Sequence, residues 1–102
     1  MPYCMIITTL PDRVAAETLG RHIVGRRLAA CAQLSEIESI YSWKGNTEHE
    51  KEIRLVLKTR ADLYEQAEQF ILENHPYDVP QIVAIDMTTS SAYGAWIDEM
   101  TA

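Results

Sequence analysis

Basic residues are scarce in this chain: nine Lys and Arg stand against fifteen Asp and Glu, for a formal charge of −6 at pH 7. Nucleic-acid binding draws its affinity from clustered cations on phosphates. No such cluster occurs, so no nucleic-acid partner is expected. The same deficit argues against docking on an anionic membrane surface. No apolar run approaches the ~20 residues that a bilayer-spanning helix needs, so no membrane association is expected. The opening segment Met1-Pro2-Tyr3-Cys4-Met5-Ile6-Ile7 has neither a basic n-region nor a cleavage site. It reads as a first strand, and the chain as cytoplasmic.

Cysteine is nearly absent too, with Cys4 and Cys31 alone and no C-x-x-C or Cys/His zinc spacing. Two reduced, buried thiols are the expectation. The four glycines form neither a phosphate loop nor a dinucleotide fingerprint, and no G-x-S-x-G or H-E-x-x-H is present. The chain is therefore not expected to be an enzyme. Cys31 with His75 would make a nucleophile and base. Against that, Cys31 lies in the small-residue run Leu28-Ala29-Ala30-Cys31-Ala32, where a buried thiol is inert. Glu48, His49 and Glu50 offer oxygen and nitrogen ligands for a divalent cation. Consecutive strand residues point to opposite faces, however, which favours a solvated charge run.

What the chain does have is apolar residues, 47% of its 102 positions. A chain of this length buries roughly two-thirds of the surface its unfolded form exposes, enough for one domain over residues 1–102. Tyr3 to Thr9 is apolar on both faces and suits a central strand. Asp12 is placed to cap a helix running to about Arg27, with Ala15, Ala16, Leu19, Ile23 and Val24 as its apolar stripe. Glu52 to Thr59 alternates, with Ile53, Leu55 and Leu57 on one side and Glu52, Arg54 and Lys58 on the other. Thr59-Arg60-Ala61-Asp62 has the form of a capped helix start. Leu63, Ala67, Phe70, Ile71 and Asn74 mark that helix's inner face, and His75-Pro76 ends it. Gln81 to Met87 is a last strand, and Tyr93, Trp96, Ile97 and Met100 repeat as in a short final helix.

The order is β-α-β-β-α-β plus a C-terminal helix, which predicts an α+β, ferredoxin-like split βαβ sandwich with helices on one face. Its central hairpin, from about Leu28 to Lys44 and back from Glu48 to Thr59, is far longer than the usual ~5–6 residues per strand. Trp43 sits at its outer end, on the same strand face as Tyr41. Burying ~150–250 Å² of indole is worth about 4–6 kcal/mol, and a domain this small has little to cover it with there. Either a second copy covers Trp43, or the hairpin curls back on its own domain.

Taken together, Leu28-Ala29-Ala30-Cys31, Ser39-Ile40-Tyr41-Ser42-Trp43-Lys44-Gly45, Glu52, Lys58-Thr59, His75-Pro76-Tyr77-Asp78-Val79-Pro80, Tyr93 and Trp96 closely resemble the CutA divalent-cation tolerance family. The resemblance spans nearly the whole chain, in order and in register. It implies a tight homotrimer shaped like the PII signalling proteins, with Tyr41 and Trp43 at its interface. It also implies a role in tolerance of copper and other divalent metals. Some bacterial members look able to hold copper with a Cys late in the first strand and two adjacent His before Pro-Tyr. Here those positions are Thr8, Asn74 and His75. Only the last is a copper-type ligand, so any copper or other divalent cation is expected to bind weakly, with His75 as the nitrogen ligand.

Two function classes follow. One is a trimer that binds metal or a small ligand in an inter-subunit cleft formed by Glu52, Lys58, His75 and Tyr77. The other is a PII-like signalling or structural trimer acting through a protein partner. Glu52 and Lys58 share one strand face, and unpaired charge there is costly if assembly covers it. A salt bridge and a bound ligand account for them equally well.

Overall fold

The computed structural model describes residues 2–102. Strand β1 (Tyr3–Leu10) leads to helix α1 (Arg13–Gly25), and β2 (Cys31–Trp43) and β3 (Asn46–Arg60) form the long hairpin. A single 3-10 turn (Ala61–Leu63) precedes α2 (Tyr64–Asn74), and β4 (Val83–Met87) and α3 (Ser91–Met100) complete the chain. The sheet runs β2-β3-β1-β4, with every neighbouring pair antiparallel. This is the ferredoxin-like arrangement that the element order implied.

Helix α1 starts where Asp12 accepts the Ala15 N–H at 2.8 Å, as expected of an N-cap. It stops at Gly25, two residues short of the expected end. Arg27 takes a positive φ of 60°, its N–H reaches Val24 O, and the Leu28 N–H reaches Ile23 O. These paired bonds are a Schellman closure, here with arginine in the place glycine usually takes. The hairpin turns tightly at Lys44 and Gly45, with φ of 49° and 83°. Two positive values match the primed turn whose twist suits a two-residue hairpin, so β3 begins two residues earlier than expected.

The start of α2 differs from expectation. Thr59 does not cap it. Its backbone pairs with Cys4 in the β1–β3 ladder, and its fully buried hydroxyl donates to Leu28 O at 2.7 Å. The chain is still extended at Thr59, so the helix forms only after the 3-10 turn and without a side-chain cap. Asn74 is also not an inner-face residue: it is exposed, and its amide donates back to Phe70 O at 2.9 Å. Val24 likewise lies off the buried stripe. The last strand begins at Val83 rather than Gln81, because its pairing with β1 ends at Val83 opposite Ile7.

Ile53, Leu55 and Leu57 join Cys4, Ile6 and Leu10 of β1 under α1 and α2, where Leu19, Ile23, Ala67 and Ile71 close the core. Gly20 lets α1 approach β2 closely: a Cβ there would lie 3.3 Å from the Ala32 side chain. The opposite face carries Met5, Ile7, Val56, Val83 and Ile85 in register. It is only partly covered, by α3 at one end. Beyond Ile53, the last partner of β1 on β3, the hairpin projects alone, and the molecule measures 45 × 23 × 22 Å. Trp43, near the outer end of the hairpin, remains 40% exposed. No helix among the described residues is long and apolar enough to cross a membrane.

Candidate functional site

A cleft of about 610 Å³ opens where the projecting hairpin leaves the sheet. Residues of three regions line it: Thr9 from the end of β1, Ser39 to Trp43 and Glu52 from the hairpin, and the segment from Pro76 to Gln81. That segment arrives here for a local reason. Pro76 stops α2, and β1 has no β4 partner beyond Ile7. The chain therefore passes the free end of β1, from the helix side of the sheet to the other face.

His75 anchors the crossing. Its Nε2 lies 2.8 Å from Thr9 O and 3.2 Å from Thr8 Oγ1, and its Nδ1 lies 3.1 Å from the Tyr77 N. This network assigns the proton to Nε2, which donates to the Thr9 carbonyl, while Nδ1 accepts the Tyr77 N–H. Burial lowers the imidazole pKa; the Thr9 carbonyl and the Glu52 charge oppose that with smaller effect. The Tyr77 hydroxyl then donates to Glu52 Oε2 at 2.8 Å. Burial first, and the Glu52 carboxylate second, raise the Tyr77 phenol far above its ordinary value, so it stays a donor. Glu52 is only 6% exposed, and no Lys, Arg or His among the described residues forms an ion pair with it.

Three of the four expected cleft residues thus meet, as a chain from His75 through Tyr77 to Glu52. Lys58 does not join them. It lies six residues along β3, about 20 Å at ~3.3 Å per residue, with its ammonium 5.8 Å from the Tyr93 ring centroid. Cys31, opposite Lys58 in the ladder, is half-buried rather than buried. Burial and then the Cys31 sulfur raise the Tyr93 phenol. Both cysteines are free, and Cys4 is buried as expected. Cys31 and His75 lie on different parts of the sheet and make no pair. His49 bonds Glu38 at 3.0 Å on the exposed hairpin, as a solvated charge run would.

The donors expected for copper do not fit it. Both His75 nitrogens are engaged, Thr8 offers only a hydroxyl, and Asn74 turns away. No three His, Cys, Asp or Glu among the described residues converge to hold a metal ion. Sequence reasoning missed Thr9 and Gln81 as lining residues. Thr9 contributes a backbone carbonyl, which every residue type has, so no sequence signal marked it. Gln81 was absorbed into a strand that starts later.

Comparison with known proteins agrees with this architecture along the whole chain. The family model described as CutA1 divalent ion tolerance protein matches residues 4–100. The divalent-cation tolerance protein CutA of Pyrococcus horikoshii is 42% identical over 98 residues, covering 95% of this chain and 96% of that protein. The chloroplastic protein CutA of Arabidopsis thaliana is 36% identical over 103 residues, covering 99% of this chain and 57% of its own length. The crystal structure of CutA1 from Pyrococcus horikoshii superposes with a TM-score of 0.94 at 40% identity, covering 97% of this chain and 98% of that one. The periplasmic divalent cation tolerance protein CutA of Archaeoglobus fulgidus does so at 0.96 with 28% identity, covering 98% and 99%. With its sheet order, its projecting hairpin and its matched residues all in agreement, the chain belongs to the CutA1 divalent ion tolerance family.

Proposed function

We propose that the chain acts in divalent-cation tolerance as a cytoplasmic homotrimer without catalytic activity, binding a metal or small ligand in a cleft at the boundary between copies. The observation that carries this reading is the buried Glu52, held by Tyr77 inside an open cleft whose wall includes the half-exposed Tyr41 and Trp43. A second copy that packs on Tyr41 and Trp43 would border that cleft and deepen it. Of the two ligand types, the small molecule suits the donors better, because a metal at His75 has to displace the Tyr77 N–H. Lys58, apart from the cleft within one chain, is the anchor for an anion at its own end of the sheet face.

Calorimetry with copper, zinc and small carboxylates on the parent, His75→Ala and Lys58→Ala tests this reading. Metal binding at His75 weakens as pH falls through the imidazole pKa, which burial holds below its ordinary value, whereas anion binding at Lys58 does not. The alternative is a PII-like trimer that signals through a protein partner, favoured by the full engagement of His75. Only weak, non-stoichiometric binding of every ligand by the parent would decide for it.

A further inference from the structure

Strand β3 keeps an unbroken register with its neighbours from Asn46 to Arg60. Its even-numbered residues therefore share the face opposite the core row Ile53, Leu55 and Leu57. That partly covered face is divided by charge. Its outer half, on the projecting hairpin, carries Glu48, Glu50 and Glu52. Its inner half, on the body of the sheet, carries Arg54 and Lys58 with Val56 between them. None of these five charged groups forms an ion pair among the described residues. Arg60, next in the row, is already engaged by Asp62 and Thr101. The neighbouring strands do not mix the signs. Ile37, Ser39 and Tyr41 stand opposite the acids, and Cys31, Met5 and Thr9 stand opposite the cations.

Carboxylates at every second strand position, about 7 Å apart, repel one another. The inner half cannot relieve them, because both halves belong to one extended strand. The halves nonetheless match each other. Glu48 to Glu52 and Arg54 to Lys58 cover equal lengths, about 13 Å each. Both lie beside apolar surface without full cover: Tyr41 and Trp43 next to the acids, Val83 and Ile85 beyond β1 next to the cations.

We infer that this face is a self-complementary docking surface whose occupant is a second copy of the chain, with the Glu48–Glu52 half of one hairpin seated on the Arg54–Lys58 half of the next copy. The inference rests on the assembly reading above and names the anion that Lys58 anchors: the carboxylates of the neighbouring hairpin. The same contact gives the Glu52 cleft a cationic wall, which the lining from one chain lacks. Unlike halves repeat head to tail, as in a ring that closes. Opposite charge fixes the direction of docking, since the reversed arrangement sets like charges together.

The test follows assembly by light scattering over a dilution series, with circular dichroism to check the fold. One variant, Glu48→Lys with Glu50→Lys, makes the outer half cationic. A second, Arg54→Glu with Lys58→Glu, makes the inner half acidic. A third carries all four changes and restores complementarity with the signs exchanged. Each double variant should need roughly a hundredfold higher concentration to assemble, and the fourfold variant should assemble within about tenfold of the parent. If a reversal fails to fold, Glu50→Gln and Arg54→Gln replace it, each weakening assembly about threefold or more. The inference is overturned by folded reversals that assemble as the parent does, or by a folded fourfold variant as dissociated as the doubles. A parent trimer indifferent to every change overturns this inference and leaves the trimer standing. A parent dimer that the doubles dissociate upholds the inference and overturns the trimer. A parent that stays monomeric overturns both.

Discussion

The two faces of the central sheet are built from the same strands and do opposite things. The face under α1 and α2 is closed: Ile6, Leu55 and Leu57 have no exposure at all, and its threonine hydroxyls are bonded internally or to His75. The other face is unfinished. Val83 and Ile85 stay 43% and 45% exposed, and only α3 at one end and the His75–Gln81 crossing at the other lie against it. Two-residue periodicity assigned residues to faces correctly along β3, where the core row and the Glu52–Lys58 row separate. It did not reveal that one face of a single chain has its cover and the other lacks it. Glu52 and Lys58 lie on the unfinished face, which is where a scaffold has surface to spare for ligands and partners, while His75 reaches the sheet end from the helix side through Thr8 and Thr9.

The contrast is most sharply tested by removing one apolar side chain from each face. Leu57→Ala should lower unfolding stability by about 2–5 kcal/mol, read from the urea midpoint. Ile85→Ala should cost within about 0.5 kcal/mol if no other chain covers it. If copies assemble on this face, the Ile85→Ala cost should instead approach that of a buried site and depend on protein concentration. A cost equal to that of Leu57→Ala in a demonstrated monomer would contradict the division between faces.

Assembly is the next largest effect. Light scattering of the parent should give about three times the 11.6 kDa chain mass, as symmetric closure of exposed sheet edges would produce. Trp43→Ala should reduce the mass and the melting temperature together. Unchanged values would mean that the indole faces solvent in every state and that the trimer needs another basis.

Tyr77→Phe probes the link across the sheet end. Losing its bond leaves a buried carboxylate without its donor, which should cost about 1–3 kcal/mol, whereas Tyr93→Phe, with no such carboxylate partner, should cost less. A thermal melt of both variants decides between them.

The smallest expected effect is a pH dependence. Burial holds the folded His75 pKa below the ordinary imidazole value of about 6.5, so the unfolded chain binds the proton more readily. The His75 contribution is therefore complete above about pH 6.5 and is lost as pH falls from there through the depressed folded value. In His75→Gln the melting temperature should vary less over that window than in the parent. An identical slope would place the titrating group elsewhere.

Much of the fold was legible because it depends on local pattern. Alternation in Ile53–Leu57, the Asp12 cap, the Pro76 stop and the hairpin turn each act within a few residues. The errors arose where a distant partner overrode a local signal. Thr59 has a helix-capping spacing, but its ladder pairing with Cys4 and its bond to Leu28 keep it in the strand. Asn74 falls on the helix repeat yet lies past the last residue that α1 and the sheet can bury. For the site, His75 and Tyr77 were named from residue type and flanking prolines, and Glu52 from its charge on the strand face opposite the apolar row. Lys58 was included because it shares the strand face of Glu52, which is a statement about direction and not about distance.

Residue chemistry and periodicity thus settled the element order, the buried row of β3 and the family resemblance, since these follow from side-chain type and spacing along one chain. The cleft needed the folded chain. It exists because the 75–81 segment crosses the free end of β1 and brings Tyr77 onto Glu52, 25 positions away in sequence. Tyr77 and Glu52 meet through the register of β1 on β3 and the early end of β4, and no local pattern in either segment encodes that distance.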